Sequence, residues 1–208
     1  MTTTQTKHPV EIPAKLLIAV AKWAYQHDDR PHLATVMFGA GEMVAVDGHR
    51  LVRVPLTHRD GTPYNVIPRF GITASDLTAA AIALNELGRG DHRRVTISIT
   101  PNDNESPGIA VFRDVTRRLG FAIMVKTRND ADFPNIEKVM PKSTGAASPD
   151  GYCFNPEYLS AIDEVQTAAG ASDGDRICRI SGWSADGLGP MLFQGSNRIR
   201  YVIMPGRM

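Results

Sequence analysis

Apolar and polar positions along this chain fall into three passages of one order: a helix-period stretch, then short two-residue alternations. The first helical stretch is PAKLLIAVAKWAYQH, where Leu16, Leu17, Val20, Ala21, Trp23 and Ala24 form a broad stripe near the 3.6 period. Pro13 opens it, because a missing N–H costs nothing in a first helical turn. The second is TASDLTAAAIALNELG, with Thr73 or Ser75 as N-cap and Gly88 as the stop. The third is NPEYLSAIDEVQTAAG, where Asn155 caps, Pro156 takes the first helical position and Gly170 ends the run.

Strand signals follow each helix. LATVMFGAGEMVAVDGHRLVRVPL alternates, with turns at 39–41 and at Asp47-Gly48. RRVTISIT, GIAVFRD and RLGFAIMVKT follow the second helix, and DRICRIS, GPMLFQG and RIRYVIM follow the third. Alternation with tight turns predicts antiparallel sheets that pack one face on the helices. The fold class is therefore α+β, built from three helix-plus-sheet units that share sheets. Residues 129–150 are rich in Pro, Asp, Ser and Gly and read as a connector, with a two-unit body at 10–128 and a half-sized one at 150–208. The closing YVIMPGRM is more apolar than a frayed end and reads as a strand. Such a strand either only packs at a sheet edge or walls a groove.

Composition narrows the function. The chain has 208 residues, 42% hydrophobic and 22% charged, with a formal charge of +1, so any attraction to phosphate must come from local patches. The Arg-rich runs at 91–94 and 113–118 read as solvated turns and sheet edges. No stretch approaches the ~20 apolar residues of a membrane span. MTTTQTKHPV lacks a basic segment followed by an apolar core, so a cytoplasmic chain without membrane partners is expected. Cys153 and Cys178 make no disulfide framework and are expected buried and inert in strand-like runs. Asp47-Gly48-His49 is first of all a hairpin signal. The chain shows no G-x-S-x-G, H-E-x-x-H or Walker loop, and Trp23 and Trp183 read as packing residues. We expect no catalytic site, no metal and no cofactor; an unrelated enzyme would instead show turnover sensitive to His49.

Three motifs then align, in order, with one family. VDGHRLVRVPL at 46–56, DFPNIEKVMP at 132–141 and YVIMPGRM at 201–208 resemble the corresponding segments of the bacterial DNA polymerase III β subunit, the β sliding clamp. Weaker similarity runs through PHLATVMF and CFNPEYLSAIDEV. The resemblance implies a DNA-clamp fold in a shortened form of about one and a half clamp domains. Residues 8–142 resemble the family's middle domain, and 143–208 the second half of its last domain.

The resemblance also implies a hydrophobic groove for clamp-binding peptides of DNA polymerase or repair proteins. Leu33, Val46, Gly48, His49, Leu51, Pro134, Lys138 and Val139 would form one side, and Val202, Met204, Pro205, Gly206, Arg207 and Met208 the other. Val46 and Gly206 depart from the family's Thr and Met. On the DNA side, Lys15 and Lys22 of the first helix are the candidate contacts, while the third helix carries Glu157, Asp163 and Glu164, which keeps duplex attraction weak. Two function classes follow: a clamp-like replication accessory that acts on DNA as a homo-oligomer, or a non-encircling mimic that sequesters clamp-binding peptides or regulates the host clamp.

Overall fold

The structure, a computed structural model, describes residues 10–27, 29–58, 60–64, 69–86, 94–100, 108–115, 122–128, 133–141, 153–183 and 189–205. A leading strand β1 (Val10–Pro13) runs into helix α1 (Ala14–Ala21), followed by β2 (Thr35–Gly39), β3 (Glu42–Val46) and β4 (Arg50–Pro55). The order recurs as β5 (Phe70–Thr73), α2 (Ala74–Glu86), β6 (Arg94–Thr100), β7 (Ile109–Asp114) and β8 (Ala122–Lys126). A third unit comprises α3 (Pro156–Ala168), β9 (Arg179–Trp183), β10 (Met191–Gln194) and β11 (Arg200–Ile203).

The strands form two antiparallel sheets, in the orders β1-β6-β7-β8 and β5-β2-β3-β4-β11-β10-β9. The first two units exchange their leading strands. β1 lies along β6, with Val10 opposite Ile97, and β5 lies along β2, with Ile72 opposite Val36. Each unit therefore completes the other's sheet, and α1 packs on α2. The third unit extends the first: β11 pairs with β4, Val202 opposite Leu51. The last strand is thus interior to a sheet and not at its edge.

Alternation sorts the side chains as expected for a half-covered sheet. Met43, Ala45, Val52, Val54, Tyr201 and Ile203 point into the main core under the helices, where Trp23 and Tyr201 sit 5.4 Å apart. Val44, Val46, Leu51 and Val202 point to the opposite face. Arg50 reaches the helix side, its guanidinium 5.1 Å from the rings of both Trp23 and Tyr158. That contact ties β4 to α1 and α3.

Local chemistry explains the helix ends. Asn155 Oδ1 accepts from the Glu157 amide at 3.0 Å, Pro156 follows, and Gly170 takes φ +85 beyond the last turn. For α2 the cap is Thr73, whose Oγ1 accepts from the Asp76 amide at 3.2 Å; Gly88 lies outside the described residues. α1 is shorter than its apolar stripe. Pro13 belongs to β1, and past Ala21 the amide of Trp23 turns back to the Val20 carbonyl while Gln26 Nε2 donates to the carbonyls of Ala21 and Ala24. A side chain that claims the terminal carbonyls replaces the next helical turn. Trp23 and Ala24 stay buried all the same.

The cysteines differ from expectation. Both are half-buried and neither lies within a strand; Cys178 precedes β9 and its sulfur receives Gln166 Nε2 at 3.2 Å. Burial, partly offset by that donor, raises the Cys178 thiol pKa.

Candidate functional site

The β3–β4 turn is held by one side chain. Asp47 Oδ1 accepts from the amides of His49 and Arg50 at 2.8 and 2.9 Å, and its Oδ2 takes Arg50 Nε at 2.8 Å. Gly48 adopts φ +98, a region that costs any residue with a Cβ. β11 runs alongside, and the pairing continues past its end: the Met204 amide donates to the His49 carbonyl at 2.8 Å. Hairpin turn and tail are therefore joined directly.

Beneath this seam lies an apolar row that crosses five strands. Val46 faces Leu51, Leu51 faces Val202, Val202 faces Leu192, and Leu192 faces Gly182 of β9. Leu33 joins Val44, Val46, Leu51 and Val202 in a cluster separate from the main core. Four of the expected groove residues, Leu33, Val46, Leu51 and Val202, thus come together. They are not open: none is more than 8% exposed.

Their cover is the chain's own segment 133–141. Phe133, Ile136 and Met140 pack against the cluster, and so does Tyr25. At the far end Pro141 reaches Gly182, where an added Cβ would lie 3.5 Å from Pro141 Cβ. Asn135 starts a 3-10 turn at Ile136–Lys138 by accepting from the Glu137 amide at 3.2 Å. Glu137 then anchors the segment to Arg53, Nη1 to Oε1 at 2.7 Å, while Arg53 Nε and Nη2 take both oxygens of Glu42 at 3.1 and 2.7 Å. Burial works against the Arg53 charge, yet Glu42 first and Glu137 second outweigh it, and the guanidinium pKa ends above its ordinary value.

The remaining groove candidates divide. Gly48 and His49 are exposed at the turn, Met204 is 40% exposed, and Pro205 is half-buried beside it. Lys138 and Val139 are exposed on the covering segment. Pro134 lines a different space, a cavity of about 370 Å³ between the β2–β3 hairpin and the covering segment, with Met37, Phe38, Arg53, Arg69 and Phe133 also on its walls. Nothing in the alternation pattern pointed to that cavity, because its walls come from passages far apart in the chain. Asp132, Gly206, Arg207 and Met208 lie outside the described residues.

Lys15 and Lys22 are both exposed on or just beyond α1. Lys22 Nζ is ion-paired with Glu164 of α3, so its charge is largely matched within the chain. Glu157 and Asp163 add further negative charge to α3, Asp163 being paired with Arg176. Among the described residues no group of His, Cys, Asp and Glu is arranged to hold a metal, and no helix is long and apolar enough to cross a membrane.

Comparison with known proteins places the fold. No family model matches the sequence, and no curated protein does either. Solved structures do. The DNA polymerase sliding clamp of Pseudomonas aeruginosa, determined with a ligand, is similar at TM-score 0.59 and 17% identity, over 96% of this chain and 66% of that one. A putative DNA polymerase III β subunit from Eubacterium rectale is similar at TM-score 0.57 and 12% identity, over 97% and 66%. The Helicobacter pylori β clamp in complex with carprofen is similar at TM-score 0.57 and 12% identity, over 100% and 68%. The chain therefore has the sliding-clamp fold and spans about two thirds of the length of these clamps.

Proposed function

We propose that this chain is a sliding-clamp-like accessory of DNA replication that captures clamp-binding peptides of polymerase or repair proteins. The peptide would lie along the seam between the β3–β4 turn and the tail. The observation that carries this reading is the direct bond from the Met204 amide to the His49 carbonyl. It sets an exposed methionine and a half-buried proline at the end of β11 beside an exposed turn, above the cluster of Leu33, Val46, Leu51 and Val202. Gly206, Arg207 and Met208 would extend the same wall, with Lys138 and Val139 at its rim. The division into a domain at 8–142 and a half domain at 143–208 belongs to the same proposal.

The energetics suit a short linear ligand. Each Leu or Phe anchor buried on such a surface contributes roughly 1.5–3 kcal/mol. Ordering a flexible peptide offsets much of that, which leaves a net affinity on the order of micromolar. Methionine adapts to varied anchors, and proline offers an edge already fixed in shape. Deletion of 204–208 tests the reading, because β11 ends at Ile203 and its sheet pairing survives the cut. Fluorescence polarisation with a labelled Leu/Phe-containing clamp-binding peptide should lose its signal; unchanged affinity overturns the site.

The acidic helix side favours a second reading. Among the described residues, Lys22 beyond α1 is matched by Glu164, and Glu157 is exposed on α3, which makes this side a poor match for a duplex. A module of that kind would hold the peptide without encircling DNA and so regulate or compete with the host clamp. Retention on nicked circular DNA separates the readings: an encircling oligomer stays, and a non-encircling module washes off.

A further inference from the structure

The outer face of the large sheet changes character one row along from the apolar cluster. There Met37 of β2 faces Val44, Val44 faces Arg53, and Arg53 faces Arg200 of β11. Cross-strand partners share a face, so this row lies on the same side as Val46, Leu51 and Val202. Like charges directly opposite one another destabilise a sheet. Arg53 is balanced by Glu42 and Glu137, whereas Arg200 is half-buried and no carboxylate among the described residues is paired with it.

Met37, Val44 and Arg53 also line the cavity of about 370 Å³, to which the covering segment contributes Phe133, Pro134 and Ile136. Its size falls within the range of small-ligand pockets, roughly 300–1,000 Å³. Arg69 brings another cation to the wall, and Gly39 leaves room for its stem: an added Cβ there would lie 2.6 Å from Arg69 Cγ. Arg53 is only 9% exposed, yet its fork is incompletely used. Among the described residues it gives Nε and one Nη2 N–H to Glu42 and one Nη1 N–H to Glu137, which leaves two of a guanidinium's five N–H groups. The Glu42 pair uses both carboxylate oxygens and is sheltered, its side chain 17% exposed. Glu137 is bonded through one oxygen and is 70% exposed, so it is the partner that gives way.

We propose that this cavity binds a small carboxylic acid with an apolar body. The ligand's carboxylate takes the place of Glu137 on Arg53, and its body lies among Met37, Val44, Phe133 and Ile136. A guanidinium fork accepts a carboxylate through two parallel bonds, which Glu137 does not make. The charge of Arg200 beside Arg53 favours an anion over a cation. Apolar walls favour a ligand with a hydrocarbon body over inorganic phosphate. β3 separates this site, at its Glu42 end, from the Met204–His49 seam at the turn beyond Val46. The proposal therefore does not rest on the peptide reading.

The test uses the full chain with isotope-labelled methionine methyl groups, and 2-naphthoate as the probe with neutral 2-naphthamide as its control. Titration with 2-naphthoate should shift the Met37 methyl resonance and leave those of Met204, at the seam, and Met124, on β8, in place. Calorimetry should show 2-naphthoate binding about tenfold or more tighter than 2-naphthamide. Glu137→Gln, at an exposed site, removes the competing charge and should tighten 2-naphthoate by about twofold to fivefold with an unchanged circular dichroism spectrum. No shift at Met37 up to the solubility limit of the probe overturns the proposal. So does a shift at Met204 in its stead, which would put the probe in the seam. Equal affinity for acid and amide, or weaker binding by Glu137→Gln, overturns the exchange at Arg53 and with it the assignment of a carboxylate.

Discussion

Arg53 of β4 and Glu137 of the covering segment meet at 2.7 Å, and this pair is the polar fastening of a cover otherwise held by Phe133, Ile136 and Met140. The two ends of the pair are unequal. Arg53 is 11% exposed in its side chain and Glu137 70%, so the carboxylate is well solvated and the pair weak by itself. Glu137→Gln should therefore cost less than about 1 kcal/mol, while hydrogen exchange at 136–139 rises. Arg53→Ala also strands Glu42, whose side chain is only 17% exposed, and should cost about 2–3 kcal/mol in urea unfolding. Equal costs for the two variants would contradict this assignment.

Leu51 is 1% exposed at the centre of the apolar row. Leu51→Ala removes buried methyl groups at a place where three strands and the covering segment meet, and should cost about 2–4 kcal/mol. Chemical denaturation measures the loss. Peptide affinity measured on the fraction still folded should fall with it, since the seam rests on that row.

Gln166 is buried on α3 and works as a connector. Its Oε1 accepts from the Ser196 amide at 3.0 Å and the Ser196 hydroxyl at 2.7 Å, and its Nε2 donates to Cys178. Gln166→Leu leaves the Ser196 amide unpaired and should destabilise by about 1–3 kcal/mol. The Cys178 thiol would react faster with a disulfide reagent in the variant, because the turn before β9 loosens; an unchanged rate would refute the link.

Tyr201 gives a pH dependence. Its ring is fully buried, and its hydroxyl has no hydrogen-bond partner among the described residues. Burial first, then negative charge at Cys178 and Asp163, pushes its pKa well above the ordinary tyrosine value. The folded chain therefore keeps the proton after the unfolded chain begins to lose it at about pH 10. Stability from this group is complete below that pH and falls as pH rises through it. Tyr201→Phe should be within about 1 kcal/mol of the parent at neutral pH and should lose less stability between about pH 9 and pH 11. Urea midpoints across that range decide it.

Local chemistry was legible in the residues themselves. Asn155-Pro156, the Asp47-Gly48 turn and the alternation of LVRVPL each carry their geometry within a few positions, and the structure shows the corresponding cap, turn and strand. Sheet membership was not legible. Val10 and Ile72 have the same composition of neighbours whichever unit they join, and only long-range pairing assigns β1 to β6 and β5 to β2. The apolar cluster was half legible: the resemblance named Leu33, Val46, Leu51 and Val202 together, and the structure packs Phe133, Ile136 and Met140 against them. The apolar pattern of DFPNIEKVMP shows that its side chains seek a surface, not which surface they find. α1 fell short of its stripe because Gln26, outside the stripe, claims the carbonyls that would have continued it.

The exchange of leading strands also sets an order of events at the ribosome. β1 finds its partner only when residues 94–97 have been synthesised, so the amino-terminal passage waits through more than eighty further residues before its edge is satisfied. β4 waits longer still, for residues 200–203. Contacts so distant along the chain slow acquisition of the native state. A nascent polypeptide of this design presents bare strands until residues 200–203 emerge, and protection by a chaperone would matter most before then.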